Sequence, residues 1–332
     1  MIPSEPPGRP PDCGTVRRYL RHALSRNVTT ADHPGPLSCG DIFSVSRARE
    51  RPPSLTALDV DRPSSEASLT EEDFVKIGTL RLRISRRGAG SPLLLIGGLG
   101  NNLGLFERLV AELPQVETIA VDGPGMGRSS TPFRPLSMFE LADVYACLIK
   151  ALGLEKASVL GLSFGGAVAQ QLAYQSPSLV DRLILCGTGP GVGGVLGSPG
   201  VLSELSMPWR FYTPSRLRRV APLIYGGRVA REPEVFEQEL EQRLALPPSV
   251  FGYYSQLTAL TGWSSTPWLS NIEAKTLVLA GDGDPVFPVE NAHMLGRLIP
   301  DARVDVLKNA GHMFVVDSAA EIAPTIIRFL ES

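Results

Sequence analysis

The chain reads as an α/β fold, with a mostly parallel central sheet flanked by helices and an inserted helical cap. Three observations predict it. From Phe74 onward, strand-like runs alternate with stretches of helical periodicity, the pattern of a sheet covered by helices on both faces. Several strand runs, such as Pro92 to Ile96 and Lys275 to Ala280, are apolar throughout, as strands buried on both faces of a parallel sheet are. The alternation stops between Gly187 and about Trp268, where glycines and prolines break up short helical pieces and no buried strand run occurs. These breaks divide the chain into an N-terminal extension (1–70), a core in two parts (71–188 and 269–332) and a cap (189–268).

A chain of 332 residues can bury a sizeable core, and its charge excludes some function classes. Lysine and arginine number 32 against 34 aspartates and glutamates, for a net charge of -2, with no basic cluster in the folded part. Nucleic acid is therefore not an expected partner. No apolar run is long enough to span a membrane, and the N-terminus lacks an apolar stretch followed by a cleavage site, so the expectation is a cytoplasmic protein with no transmembrane segment. Cys13, Cys39, Cys147 and Cys186 show neither metal nor disulfide spacing; Cys147 and Cys186 read as small buried hydrophobes in a helix and a strand. No metal or organic cofactor is expected. Residues 1–70 are rich in proline and serine, contain arginine but no lysine, and read as mostly disordered. Within them, Thr15 to Val28 has the make-up of a short amphipathic helix suited to a lipid or granule surface.

The elements follow in order. F-V-K-I-G and T-L-R-L-R-I-S alternate apolar and charged residues, as a half-exposed antiparallel pair does. Pro92 to Ile96 is the first buried strand, and the glycine-rich G-G-L-G-N-N after it lets backbone approach a ligand closely. A helix over Gly104 to Leu113 and a strand over Glu117 to Val121 come next. Asp122-Gly-Pro-Gly-Met-Gly-Arg128-Ser129 lacks the third glycine of a dinucleotide fingerprint and opens no helix, so it reads as a structural turn supported by Asp122. Met138 to Leu152 is periodic as an amphipathic helix ended by Gly153, and Leu179 to Cys186 is a strand. Helical pieces at Val201 to Trp209, Ser215 to Ile224 and Pro233 to Leu246 make up the cap. After the cap, the strand ending at Ala280, a helix over Val289 to Leu298 and a strand over Ala302 to Leu307 complete the sheet.

The chemistry centres on V-L-G-L-S-F-G-G, Val159 to Gly166, between a strand at Ala157 to Leu160 and a helix at Gly166 to Tyr174. This is a G-x-S-x-G nucleophile elbow, in which Gly161 and Gly165 make room for a strained strand-to-helix turn that lifts Ser163 out of the sheet. The Phe164 amide, at the helix N-terminus, and the Leu99 amide, in the loop after the first buried strand, are the expected oxyanion donors. A carboxylate belongs after the strand that ends at Ala280; Asp284 has the expected offset, with Asp282 in reserve. His312 follows the last strand and a glycine and is the expected base, whereas His293 falls in mid-helix. All three tryptophans lie in the cap, and Trp209, Tyr225, Tyr254 and Trp263 are the expected substrate contacts.

The elbow, the Gly-Asp-Gly-Asp284-Pro-Val-Phe-Pro loop and Gly311-His312 make the chain similar to the α/β-hydrolase superfamily from about Phe74 to Leu330. Through G-G-L-G-N-N-L, V-D-G-P-G-M-G-R-S-S-T-P, A-P-L-I-Y-G-G and G-Y-Y-S-Q-L-T-A-L-T-G-W-S-S-T-P-W-L it resembles the intracellular medium-chain-length polyhydroxyalkanoate depolymerases. The resemblance implies a serine ester hydrolase acting on a polyester of 3-hydroxyalkanoic acids, with a polymer granule surface as partner. A small-molecule carboxylesterase, or a non-catalytic binding protein of the same fold, are the alternatives. The serine at position 163 disfavours a dehalogenase, which needs aspartate there, and a polyester synthase, which needs cysteine.

Overall fold

The computed structural model describes residues 73–332; the predicted disorder over 1–70 and the amphipathic helix over Thr15 to Val28 lie outside the described residues. The strands are β1 (Asp73–Ile77), β2 (Leu80–Arg87), β3 (Pro92–Ile96), β4 (Glu117–Val121), β5 (Ala157–Leu162), β6 (Val180–Cys186), β7 (Lys275–Gly281) and β8 (Ala302–Leu307). They form one eight-stranded sheet in the order β1-β2-β4-β3-β5-β6-β7-β8. β1 with β2 and β2 with β4 pair antiparallel; every other pair is parallel. The predicted fold class is therefore the observed one.

Because strand side chains alternate faces, one apolar run serves two cores. Leu94 and Ile96 of β3 pack with Val159 of β5 against the helices Met138–Ala151 and Phe164–Gln175. Leu93 and Leu95 pack with Leu160 on the opposite face, against Leu109 of the helix Glu107–Ala111 and Ile322 and Ile326 of the helix Ala319–Glu331. Burying each such side chain contributes roughly 1.5–3 kcal/mol.

Local chemistry sets the ends of these elements. Ser137 and Glu140 form a reciprocal capping box at the start of Met138–Ala151, and Gly153, at φ +72°, ends it. Arg134, hydrogen-bonded to Glu140, holds that carboxyl down at about 2, so the box stays charged near neutral pH. Cys147 corrects an expectation: it is exposed, because it follows Asp143 by one helical turn on the outer face, while Tyr145, Ala146, Leu148 and Ile149 take the inner one. Cys186 is buried as expected, and burial pushes its thiol pKa up.

The predicted helix over Gly104 to Leu113 divides into a 3-10 turn, Leu103–Phe106, and the helix Glu107–Ala111. Two side chains fix that start: Asn102 accepts from the Gly104 amide, and buried Asp122 accepts from the Leu103 amide at 2.7 Å. Asp122 also accepts from the Arg128 amide at 2.8 Å and pairs with Arg83 at 3.3 Å, so it supports the turn after β4 and the loop after β3 together.

Between β6 and β7 lie the helices Pro199–Leu205, Pro214–Tyr225, Gly227–Arg231, Glu234–Ala245 and Val250–Leu260. The predicted helix over Val201 to Trp209 stops at Leu205, and Pro208 begins a separate 3-10 turn, Pro208–Phe211. Leu217, Val220 and Ile224 of Pro214–Tyr225 join the second core, which anchors the inserted segment to the sheet.

The strand order also locates the site. β3 lies between β4 and β5, so the chain leaves β3 in one direction, returns, and continues in the other. Such a reversal opens a crevice at the carboxyl ends of the strands. The G-G-L-G-N-N loop after β3 and the elbow after β5 meet there.

Candidate active site

Ser163 has φ 54° and ψ -118°, a conformation that costs an L-residue of order 1–3 kcal/mol. Its surroundings hold it there. The Ser163 amide donates to the Cys186 carbonyl at 2.9 Å, and Thr188 Oγ1 donates to the Ser163 carbonyl at 2.8 Å. A Cβ at Gly161 would fall 2.3 Å from the Gly165 carbonyl oxygen, and one at Gly165 would fall 2.1 Å from that of Ile96. The two flanking glycines are therefore steric requirements of the turn. The helix begins at Phe164, two residues earlier than its periodicity predicts, because the strained serine leads into it directly.

His312 joins Ser163 to Asp284. Its Nε2 lies 3.0 Å from Ser163 Oγ and its Nδ1 lies 2.8 Å from Asp284 Oδ2. All three side chains are buried, as befits groups whose hydrogen bonds must hold without competition from water. The other carboxylate oxygen, Oδ1, accepts from the amides of Val286 at 2.8 Å and Phe287 at 3.0 Å, which aims Oδ2 at the imidazole. The His312 amide donates to the Tyr225 carbonyl at 2.7 Å, and the Phe287 ring stacks on the imidazole with centroids 5.9 Å apart. Asp282, the reserve carboxylate, is exposed, and His293 is exposed on Glu290–Leu298; neither takes part in these bonds. Among the described residues, no group of three or more His, Cys, Asp or Glu is placed to hold a metal ion.

Leu99 and Phe164 line the same cavity as Ser163. The loop bearing Leu99 sits against the elbow, since a Cβ at Gly98 would lie 3.3 Å from Ser163 Cβ. The Gly100 amide donates to Gln256 Oε1 at 2.9 Å, tying the loop to the helix Val250–Leu260. That helix is not among the pieces the periodicity predicts.

The cavity above Ser163 has a volume of about 510 Å3 and is mostly apolar, with Leu202, Leu257, Leu260 and Trp263 among its walls. Of the four predicted contacts, Tyr225 and Trp263 line it and Trp209 and Tyr254 do not. Tyr254 follows the fully buried Tyr253 on its helix and is turned outward, and Trp209 is the outward member of a turn that buries Pro208, Arg210 and Phe211. Residues missed in the sequence hold the roof. Asn291 donates to the Val195 carbonyl at 2.8 Å and accepts from its amide at 2.9 Å, and Gln170 donates to the Gly189 carbonyl at 3.1 Å. The available signal was a polar residue among apolar ones on the inward face of its helix, Asn291 beside Ala292 and Leu295, and Gln170 beside Ala167 and Ala173.

A buried hydroxyl bonded to an imidazole, itself bonded to a fixed carboxylate, can lose its proton to that imidazole while attacking an electrophilic carbon. Comparisons with known proteins bear on that capacity. A family model described as alpha/beta hydrolase fold matches residues 91–319. The chain is 40% identical over 242 residues to a poly(3-hydroxyalkanoate) depolymerase of Ectopseudomonas oleovorans, covering 73% of this chain and 84% of that protein. It is 26% identical over 288 residues to a 2-hydroxy-6-oxo-6-phenylhexa-2,4-dienoate hydrolase of Comamonas testosteroni, covering 83% and 99% respectively. Among solved structures, the enol-lactonase from Burkholderia xenovorans LB400 superposes with a TM-score of 0.68 at 24% identity, over 78% of this chain and 100% of that one, a likeness of fold alone. With the family model spanning more than half of the chain, and the sheet order and elbow in agreement with it, the chain belongs to the α/β-hydrolase fold family and is a hydrolase.

Proposed function

We propose that the protein is a serine ester hydrolase that cleaves the ester bonds of poly(3-hydroxyalkanoate) with medium-length side chains. The observation that carries this reading is the hydrogen-bonded chain Asp284, His312, Ser163 on the wall of a mostly apolar cavity. Ser163 Oγ attacks the ester carbonyl as its proton passes to His312 Nε2, and Asp284 holds the imidazole tautomer and stabilises the charged ring. The Leu99 and Phe164 amides receive the developing oxyanion, and loss of one such donor typically costs about 2.7–4 kcal/mol. The C–O bond then breaks and the alcohol leaves with the proton from His312. Water, activated by the same imidazole, attacks the acyl-enzyme, releases the acid and returns the proton to Ser163.

The substrate class is supported by the 40% identical relative named a poly(3-hydroxyalkanoate) depolymerase and by the apolar walls, which reward alkyl side chains by roughly 0.8 kcal/mol per buried methylene. Residues 189–268 form the cap in this reading, with Tyr225 and Trp263 against the side chains. A granule-associated cytoplasmic location goes with it: Val192 and Leu196 line the cavity and are 61% and 72% exposed, which suits contact with a polymer surface. No helix among the described residues is long and apolar enough to cross a membrane. The cavity volume also favours a second reading, a carboxylesterase for small esters, since about 510 Å3 holds a short ester whole.

Hydrolysis of amorphous medium-chain polyhydroxyalkanoate particles, beside polyhydroxybutyrate and nitrophenyl octanoate, separates the two. Release of 3-hydroxyoctanoate from the medium-chain particles, at a rate well above release of monomer from polyhydroxybutyrate, is the expected result. Turnover of the soluble ester alone would reduce the function to that of a carboxylesterase.

A further inference from the structure

The ester chemistry described above has no use for Arg210. This residue, in the turn Pro208–Phe211, is 2% exposed and lines the same cavity as Ser163 and His312. Its Nη1 donates to the carbonyls of Met207 at 2.9 Å and Glu204 at 3.2 Å and to the Tyr253 hydroxyl at 2.7 Å. Its Nε is buried without a hydrogen-bond partner, and none of its hydrogen bonds among the described residues uses Nη2. The nearby Glu204 carboxylate is taken by Arg216, at 2.8 Å. No aspartate or glutamate is among the residues that line the cavity.

A guanidinium stays charged at any pH the fold survives, and a buried charge without a counter-ion costs several kcal/mol. Carbonyls at the end of Pro199–Leu205, and the Phe211 and Tyr253 rings at 4.5 and 5.3 Å, offset part of that. They leave Nε and Nη2 without a hydrogen-bond partner; Nε is itself buried, so Nη2, which is not, is the donor left for a carboxylate entering the cavity. The cavity thus joins a nucleophile, apolar walls and one unneutralised cation.

We propose that Arg210 binds a substrate carboxylate, so that the enzyme takes esters whose far end is a free acid. The proposal rests on the ester-hydrolase reading and specifies which end of the substrate enters. In a polyester of 3-hydroxy acids, the free carboxylate always lies on the alcohol side of every ester bond. An anchored carboxylate therefore belongs to the leaving group. Ser163 Oγ bonds to the carbonyl carbon of the remaining chain, the C–O bond breaks, and the alkoxide oxygen takes the proton from His312. The product leaves as a short hydroxy acid with its carboxylate still on Arg210. Cleavage then proceeds from the carboxyl end of a chain rather than at random within it.

The test uses a matched pair, the linear ester dimer of 3-hydroxyoctanoic acid and its methyl ester, with wild type, Arg210→Met and Arg210→Lys. A charge-assisted pair is worth about ten- to a hundredfold in affinity. Wild type should prefer the free acid by that factor in kcat/KM, chiefly through KM. The preference should fall to about one in Arg210→Met and return in part in Arg210→Lys. No preference in wild type, or an unchanged preference in Arg210→Met with both substrates slowed alike, would assign Arg210 to bracing the cap and overturn the proposal. Calorimetry of wild type with octanoate and with octanamide decides the point even where the variants fail to fold or neither dimer is hydrolysed. Octanoate at least tenfold tighter supports the site, and equal binding refutes it. Absence of turnover on both dimers would count against the hydrolase reading separately.

Discussion

Ser163→Ala lowers kcat on every ester the protein hydrolyses by about a thousandfold or more, with the melting temperature nearly unchanged. The size of the loss follows from the arrangement: among the described residues, Ser163 Oγ is the hydroxyl bonded to His312 Nε2, and that 3.0 Å bond disappears with it. Stability survives because the amide and carbonyl of residue 163, which bond Cys186 and Thr188, are backbone groups that alanine keeps. His312→Ala should be equally inactive. His293→Ala, on an exposed helical position, should keep wild-type turnover, and the reverse pattern would show that the base had been misassigned. Steady-state kinetics with nitrophenyl octanoate and a thermal melt read all three variants.

Gly165→Ala should cost both fold and function, although it adds one methyl group and removes no chemical group. The new Cβ would sit 2.1 Å from the Ile96 carbonyl oxygen and 2.6 Å from that of Gly97, both backbone atoms at the end of a central buried strand. Neither can swing aside as a side chain tip would, so either the helix Phe164–Gln175 or the end of β3 must move. Overpacking of this kind costs about 3 kcal/mol, and any movement separates the Leu99 loop from the elbow. The expected outcome is a fall in the urea midpoint together with loss of turnover in whatever protein remains folded. A Gly165→Ala variant with wild-type stability and activity would contradict the described packing of elbow against strand.

Much of this was legible in the sequence, for identifiable physical reasons. β3, β4 and β8 begin and end where the sequence places them; β3 is apolar throughout because it lies buried between two neighbours, whereas β8 is an edge strand that alternates polar and apolar residues, with Arg303 exposed. The Ser163, Asp284 and His312 assignment followed from chain order and offset, and the structure brings those three side chains together. What stayed hidden depends on tertiary contact. Tyr253 and Tyr254 are adjacent and chemically alike, and only the packing of Val250–Leu260 decides which faces inward. Arg210 looks in sequence like any surface arginine; its burial against Phe211 and Tyr253 appears only once the turn Pro208–Phe211 meets that helix. Asn291 and Gln170 act through partners about 96 and 19 residues away, a distance that local periodicity does not register.

The central claim, that Ser163 is a nucleophile activated by His312, is tested most directly with a fluorophosphonate that carries an alkyl chain. Intact-protein mass spectrometry should show one stoichiometric adduct, and peptide mapping should place it on Ser163. His312→Ala should label at least a hundredfold more slowly, and Ser163→Ala not at all. An adduct on a different residue, or labelling of Ser163 at the same rate with and without His312, would contradict the account.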